Sequence, residues 1–285
     1  MSFCNAGFSL FPDSFAPFAA DPGATALSFV LSLAGGLGFV VHANLLALRP
    51  WRRNRLARGR LSLHSRLVLD GLAAGVVLSL LVYLPLEARG AYAHLPAGSR
   101  ATAALFQAFS SRASGFACVS TASYGGAALL FTMALMFVGA APGSTGGGVK
   151  TTTVSVFFAA VRAMFSRGTP ELHGRSVPVR VVGDAIAISV LSAAAVAATA
   201  FALLLAEAGG PARPGALVFE AVSAFANNGM EIDGTTAALS RPGLAVVTFA
   251  MFAGRLGPVA LVLTLFRSRR TDVSKRFPEE NVIVG

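Results

Sequence analysis

Ala140-Ala141-Pro142-Gly143-Ser144-Thr145-Gly146-Gly147-Gly148-Val149-Lys150 interrupts an apolar run that extends from 125 to 164. A helix crossing a bilayer needs about 20 mostly apolar residues. The run is too long for one straight crossing. Proline removes a helix hydrogen bond and the glycines add backbone freedom. The stretch therefore predicts two half-helices joined by an irregular loop at membrane depth. Lipid cannot satisfy loose backbone N–H and C=O groups, so such a loop must be enclosed by protein or line water.

Working outward, four further apolar runs occupy 24–48, 67–86, 181–206 and 242–266. The 285 residues are 54% hydrophobic and 13% charged, with mean hydropathy +0.67. A soluble domain carries about 25% charged residues, so one water-soluble core is excluded. The net charge of +10 sits in short loops between apolar runs. That is a membrane pattern rather than a nucleic-acid footprint. No basic n-region precedes an apolar core at the N-terminus, so no cleaved signal is expected. Cys4 and Cys118 make no disulfide framework.

Positive charge predicts the topology. Arg49, Arg52, Arg53, Arg55, Arg58, Arg60 and Arg66 follow the first run; Arg167, Arg175 and Arg180 follow the third; Arg267, Arg269, Arg270, Lys275 and Arg276 follow the last. These regions are expected in the cytoplasm. Residues 1–23, 87–124 and 207–240 are expected outside. The N-terminus is then outside, the C-terminus inside, and the chain crosses the membrane five times.

A unit recurs. Phe106-Gln107-Ala108-Phe109-Ser110-Ser111-Arg112-Ala113-Ser114-Gly115 and Phe219-Glu220-Ala221-Val222-Ser223-Ala224-Phe225-Ala226-Asn227-Asn228-Gly229 begin 113 residues apart. Each follows an inner-to-outer run, is too short to cross, ends in a glycine, and precedes a returning run. Phe3-Cys4-Asn5-Ala6-Gly7 matches the end of the same unit. The expected fold is all-α integral membrane, built from repeats of span, re-entrant helix, glycine loop and span. Its units are 1–66, the remnant of one repeat; 67–180, a full repeat with a broken second span; and 181–285, a full repeat with the C-terminal tail. Rings of backbone carbonyls on such loops can replace an ion's hydration shell. The negative end of the short helix favours a cation. A re-entrant packing element without an ion is the competing reading.

These residues resemble the Trk/Ktr/HKT superfamily of potassium-uptake transporters, most nearly the Ktr-type membrane subunit. Cys4, Asn5, Ala6 and Gly7 resemble its second selectivity filter. Arg112, Ala113, Ser114 and Gly115 resemble the third, and Ala226, Asn227, Asn228 and Gly229 the fourth. Gly143, Ser144, Thr145, Gly146, Gly147, Gly148 and Lys150 resemble the intramembrane gating loop. Arg255, in Gly254-Arg255-Leu256-Gly257-Pro258, resembles the arginine of the last span, and Phe277–Gly285 the usual C-terminus. The first repeat and part of the second are absent, so the chain is expected to be a gene fragment or to have a misplaced start. Asn227 and Asn228 depart from the small or β-branched residues usual before the fourth glycine. The resemblance implies K⁺ as the transported ion with Na⁺ as the alternative, no cofactor in this chain, a homodimer, a cytoplasmic nucleotide-binding regulatory subunit, contact with membrane lipid, and a plasma-membrane location. The rivals are a secondary transporter, which the glycine repeats disfavour, and a non-conducting membrane fragment with a structural or regulatory role.

Single residues refine this. Lys150 follows a glycine loop, but Val149 separates it from Gly148 and a span precedes it, which disfavours a phosphate loop. Arg255 reads as mid-span, where arginine costs about 2.5–3.5 kcal/mol; facing the pore and touching 143–148 would compensate, and a snorkelling or buried structural arginine is the alternative. Arg112 either ties to Glu220 or faces outer solvent. Glu231 and Asp233 add negative charge beside the outer mouth. His42 reads as packed, and His42, His64, His94 and His173 have no metal-ligand spacing. Asp70 and Asp184 are expected to be solvated or paired with loop arginines. No constellation suggests an enzyme.

Overall fold

The computed structural model describes residues 2–5, 7, 14–18, 21–48, 61–112, 114–166 and 168–257. The sequence assignments at Ala6, Ala113, Arg167, 49–60 and the tail from Pro258 onward lie outside them. The helices are α1 (Pro22–Gly36), α2 (Phe39–Ala47), α3 (Leu63–Glu87), α4 (Ala97–Ser110), α5 (Gly126–Phe137), α6 (Thr151–Ser166), α7 (Val179–Ala206), α8 (Pro214–Ala226), α9 (Thr235–Ala238) and α10 (Arg241–Leu256). A hairpin of β1 (Glu171–Leu172) and β2 (Arg175–Ser176) separates α6 from α7.

Helices α3 and α7 are long and apolar enough to cross a membrane. Leu81, Phe158, Phe201 and Phe249 are 63–67% exposed. A water-soluble surface does not present large side chains so freely on several helices; a surface facing lipid does. The third run is broken as its sequence predicts, into α5, an irregular 138–150, and α6.

The first run differs from its reading as one straight span. It bends by 97° between α1 and α2. The bend lies at Leu37-Gly38, where Gly38 has φ +78. A Cβ there would fall 2.5 Å from Pro142 O. The two breaks pack on each other. Ala141 N donates to Gly36 O at 3.2 Å, Thr145 N to Gly35 O at 3.1 Å, and Phe39 N to Gly143 O at 3.3 Å. Each irregular backbone supplies the other with hydrogen bonds that lipid would withhold.

Helix α4 rests on α3 and α1, while α8 rests on α7, α10 and α5. Phe106 and Phe219 are both buried in the core. The C-terminal end of each long helix carries a buried carboxylate that the sequence reading did not single out. Glu87 accepts from Ala91 N at 3.0 Å and from Gly125 N, just before α5, at 2.9 Å. Glu207 accepts from Ser240 N at 2.9 Å and Ser240 Oγ at 2.6 Å, and Ser240 caps α10. Each carboxylate anchors the start of its repeat's closing helix.

Candidate functional site: three glycine turns against a glycine-rich loop

Helices α4 and α8 both have buried C-terminal ends and hand over to left-handed turns. Gly7, Gly115 and Gly229 have φ +69, +72 and +90, a region that L side chains enter only with strain. The turns touch. A Cβ on Gly115 would lie 1.8 Å from Asn228 O and 3.0 Å from Gly7 Cα. One on Gly7 would lie 2.3 Å from Asn228 O and 2.9 Å from Gly229 Cα. Only glycine permits this approach, and it brings the Asn228 carbonyl against both other turns.

Side chains hold the turns in place. Asn228 Nδ2 donates to Ser110 O at 3.1 Å and Ser111 O at 3.0 Å, gripping the C-terminal end of α4. Asn227 caps α8 in the left-handed region and donates to Met251 O on α10 at 2.9 Å. The two asparagines thus fasten one turn to a neighbouring repeat and to the last helix. Gly115 N donates to Ser110 O at 2.9 Å, and buried Ser114 bonds Ser110 Oγ at 3.2 Å. Asn5 is buried and its amide lies 2.8 Å from Thr145 Oγ1. Cys4 is exposed and Ala226 buried.

Directly against these turns lies the 138–150 loop. A Cβ on Gly147 would meet Ala226 O at 2.4 Å. Thr145 Oγ1 donates to Phe3 O at 3.2 Å. The loop's two ends are zipped together: Gly139 N donates to Val149 O at 2.9 Å and Val149 N to Phe137 O at 3.0 Å. Gly143 and Gly148 take positive φ, and Ser144 Oγ donates to Ala141 O at 2.6 Å. Gly146 is buried beside Ala140, where a Cβ would meet the Ala140 methyl at 2.6 Å. Lys150 Nζ donates back to Gly146 O at 2.7 Å, which turns the ammonium onto its own loop. Arg255 donates to Thr145 O, the contact with 143–148 expected of it. It does so from the last turn of α10, whose C-cap is Gly257. The helix C-terminus itself favours a cation there.

Three other expectations are settled by geometry. Arg112 neither ties to Glu220 nor faces solvent; it is 7% exposed and bonds carbonyls of α3. Glu220 instead accepts from Thr236 Oγ1 at 3.0 Å, while Glu231 accepts from Thr236 N at 3.0 Å. Asp70 is exposed, as one of the two expectations had it, and pairs with His173 of the hairpin at 2.6 Å. Asp184 is exposed, and His42 is packed with its ring nitrogen 2.6 Å from Ala34 O. Gln107 and Glu220, equivalent in the repeat, each keep one buried oxygen without a partner among the described residues.

The family model for TrkH, described as a cation transport protein, matches residues 1–272. This chain belongs to the TrkH family. That is a family of cation transport proteins and not of enzymes, and it makes the chain a membrane protein. Among curated relatives, the TrkH-family chain is 32% identical over 288 residues to the Ktr system potassium uptake protein B of Bacillus subtilis (strain 168), covering 100% of this chain and 62% of that protein. It is 33% identical over 290 residues to the protein of the same name from Vibrio alginolyticus, covering 100% and 61%. It is 30% identical over 294 residues to the potassium/sodium uptake protein NtpJ of Enterococcus hirae, covering 100% and 62%. The chain thus spans about three-fifths of the length of these relatives. The crystal structure of the potassium transporter TrkH from Vibrio parahaemolyticus superposes with a TM-score of 0.70 at 20% identity, over 93% of this chain and 56% of that one. That likeness concerns the fold.

Proposed function

We propose that this chain forms part of the ion path of a K⁺ uptake transporter. The units 1–66, 67–180 and 181–285 each contribute one glycine turn to the path. Gly7, Gly115 and Gly229, with the residues just before them, lend main-chain oxygens to a dehydrated cation. The loop from Gly143 to Lys150, restrained by Arg255, closes the path beneath them. The observation that carries this reading is the meeting of three left-handed turns around the Asn228 carbonyl, with the loop against their lower side.

Na⁺ is the second candidate ion. The name of the Enterococcus hirae relative includes both ions, and Glu231 and Asp233 attract any cation at the mouth. The chain works in the plasma membrane with 87–124 and 207–240 outside. It pairs as a homodimer and meets a nucleotide-binding regulatory subunit at its basic inner loops. Those loops also attract anionic lipid, at about 1 kcal/mol per basic residue.

The test is growth at low K⁺ in a host lacking its own K⁺ uptake, together with ⁸⁶Rb⁺ influx. The gene is expressed from its complete reading frame. Rescue and influx, with Na⁺ competing weakly, are the expected results. Correctly inserted protein without influx would instead establish a non-conducting structural role.

A further inference from the structure

The turn at Gly115 and the hinge of the 138–150 loop share one buried cation. Arg112 stands three residues before Gly115. Its Nη1 donates to Gly71 O at 3.0 Å and Leu72 O at 3.4 Å on α3. Its Nη2 donates to Thr151 Oγ1 at 3.4 Å, and Thr151 Oγ1 donates in turn to Gly139 O at 3.1 Å. Thr151 N bonds Ala140 O at 3.3 Å. Thr151 is the first residue of α6, so both arms of the broken span meet at this hydroxyl.

Helix α3 is shaped to admit these two side chains. Gly71 and Gly75 are four residues apart and share a face. A Cβ on Gly71 would fall 2.2 Å from Thr151 Cγ2, and one on Gly75 would fall 2.3 Å from Arg112 Nη1. Among the described residues no carboxylate pairs with Arg112. A charge kept from water without a counter-ion is costly, and helix carbonyls and one hydroxyl alone offset it here. A narrow, mostly apolar void adjoins the guanidinium, lined by Leu37, Phe109, Ala140 and Ala141 among others. It leaves free volume beside the near end of the loop.

We propose that Arg112 is a strut that couples the intramembrane loop to the Gly115 turn. Movement of 139–151 is carried by Thr151 to the guanidinium, and by Arg112 to the turn three residues on. Discrimination between ions then depends on the state of the loop. This rests on the transport reading above. Arg112 and Thr151 act as positioning residues, since neither side chain needs to touch the ion.

The experiment measures ⁸⁶Rb⁺ and ²²Na⁺ influx per molecule of complete protein in the membrane. Thr151→Val removes the hydroxyl and keeps the shape; Thr151→Ser keeps the hydroxyl. Gly75→Ala displaces the guanidinium by a separate route. Thr151→Val and Gly75→Ala are expected to lower the Rb⁺/Na⁺ ratio by about fivefold, which is ~1 kcal/mol at about 1.4 kcal/mol per decade. Thr151→Ser should stay close to the unmodified ratio. Arg255→Ala, which frees the loop, should shift the ratio in the unmodified background and much less in Thr151→Val, because coupled sites are non-additive. Additive shifts, or reduced influx at an unchanged ratio, would overturn the strut. No influx by the unmodified protein would overturn the transport reading itself, and it is seen before any substitution is made.

Discussion

A methyl group at Gly115 would be placed 1.8 Å from Asn228 O, on a backbone with φ +72. Left-handed backbone alone costs a non-glycine residue about 1–2 kcal/mol, and the collision adds to it. Gly115→Ala should therefore cut ⁸⁶Rb⁺ influx by at least about tenfold while the protein still reaches the membrane, which immunoblotting of membranes checks. Arg255 acts in the opposite sense. Its bond to Thr145 O restrains the loop, and a hydrogen bond to a charged group contributes about 1.5–3 kcal/mol. Arg255→Ala should raise influx in the absence of any regulatory partner; unchanged leak would remove Arg255 from the gate. Asn228 explains a departure visible in the sequence. A β-branched residue there could not hold the Ser110 and Ser111 carbonyls.

Among elements, a carboxylate at the C-terminal end of α3 and of α7 holds the start of a following helix. Glu207 receives two hydrogen bonds from Ser240, the cap of α10. Glu207→Ala strands a part-buried N–H and loosens that cap, at a cost of about 1–3 kcal/mol. Glu207→Gln keeps an acceptor oxygen and should cost less. Thermal unfolding in detergent, followed by the fraction remaining monodisperse, should rank the unmodified protein first, then Glu207→Gln, then Glu207→Ala. Equal midpoints would show that Ser240 caps α10 without help. The broken first span belongs to this scale as well. Its elbow exists because the 138–150 loop needs Gly35 O and Gly36 O as acceptors, so two breaks form where each supplies the other.

For the whole molecule, the charge pattern predicts the hairpin inside and α9 outside. Ser176 and Ala237 are exposed, which suits cysteine labelling. Cys4 is exposed and must first become serine. Cys118 can stay, because burial pushes its thiol well above the ordinary value and the thiolate is the reactive form. With charged maleimide, Ala237→Cys should label on intact cells and Ser176→Cys only in inverted vesicles. The reverse result would invert the topology. Labelling of Cys118 before denaturation would contradict its burial.

The apolar runs, the loop at 140–150, the paired short helices and the three glycine turns are legible from the chain. Each rests on local chemistry: hydropathy over a span, proline and glycine in a helix, a motif repeated after 113 residues. What lay across the fold was not legible. Arg112 offered two plausible destinations and took neither, because the groove that receives it is made by the absence of side chains at Gly71 and Gly75. The bend at Leu37-Gly38 looked continuous because its hydrogen-bond partners lie more than a hundred residues away. Periodicity and composition report what a segment can bury. Only packing decides which distant carbonyl meets a buried donor, since that satisfaction depends on backbones that approach one another in space and not along the chain.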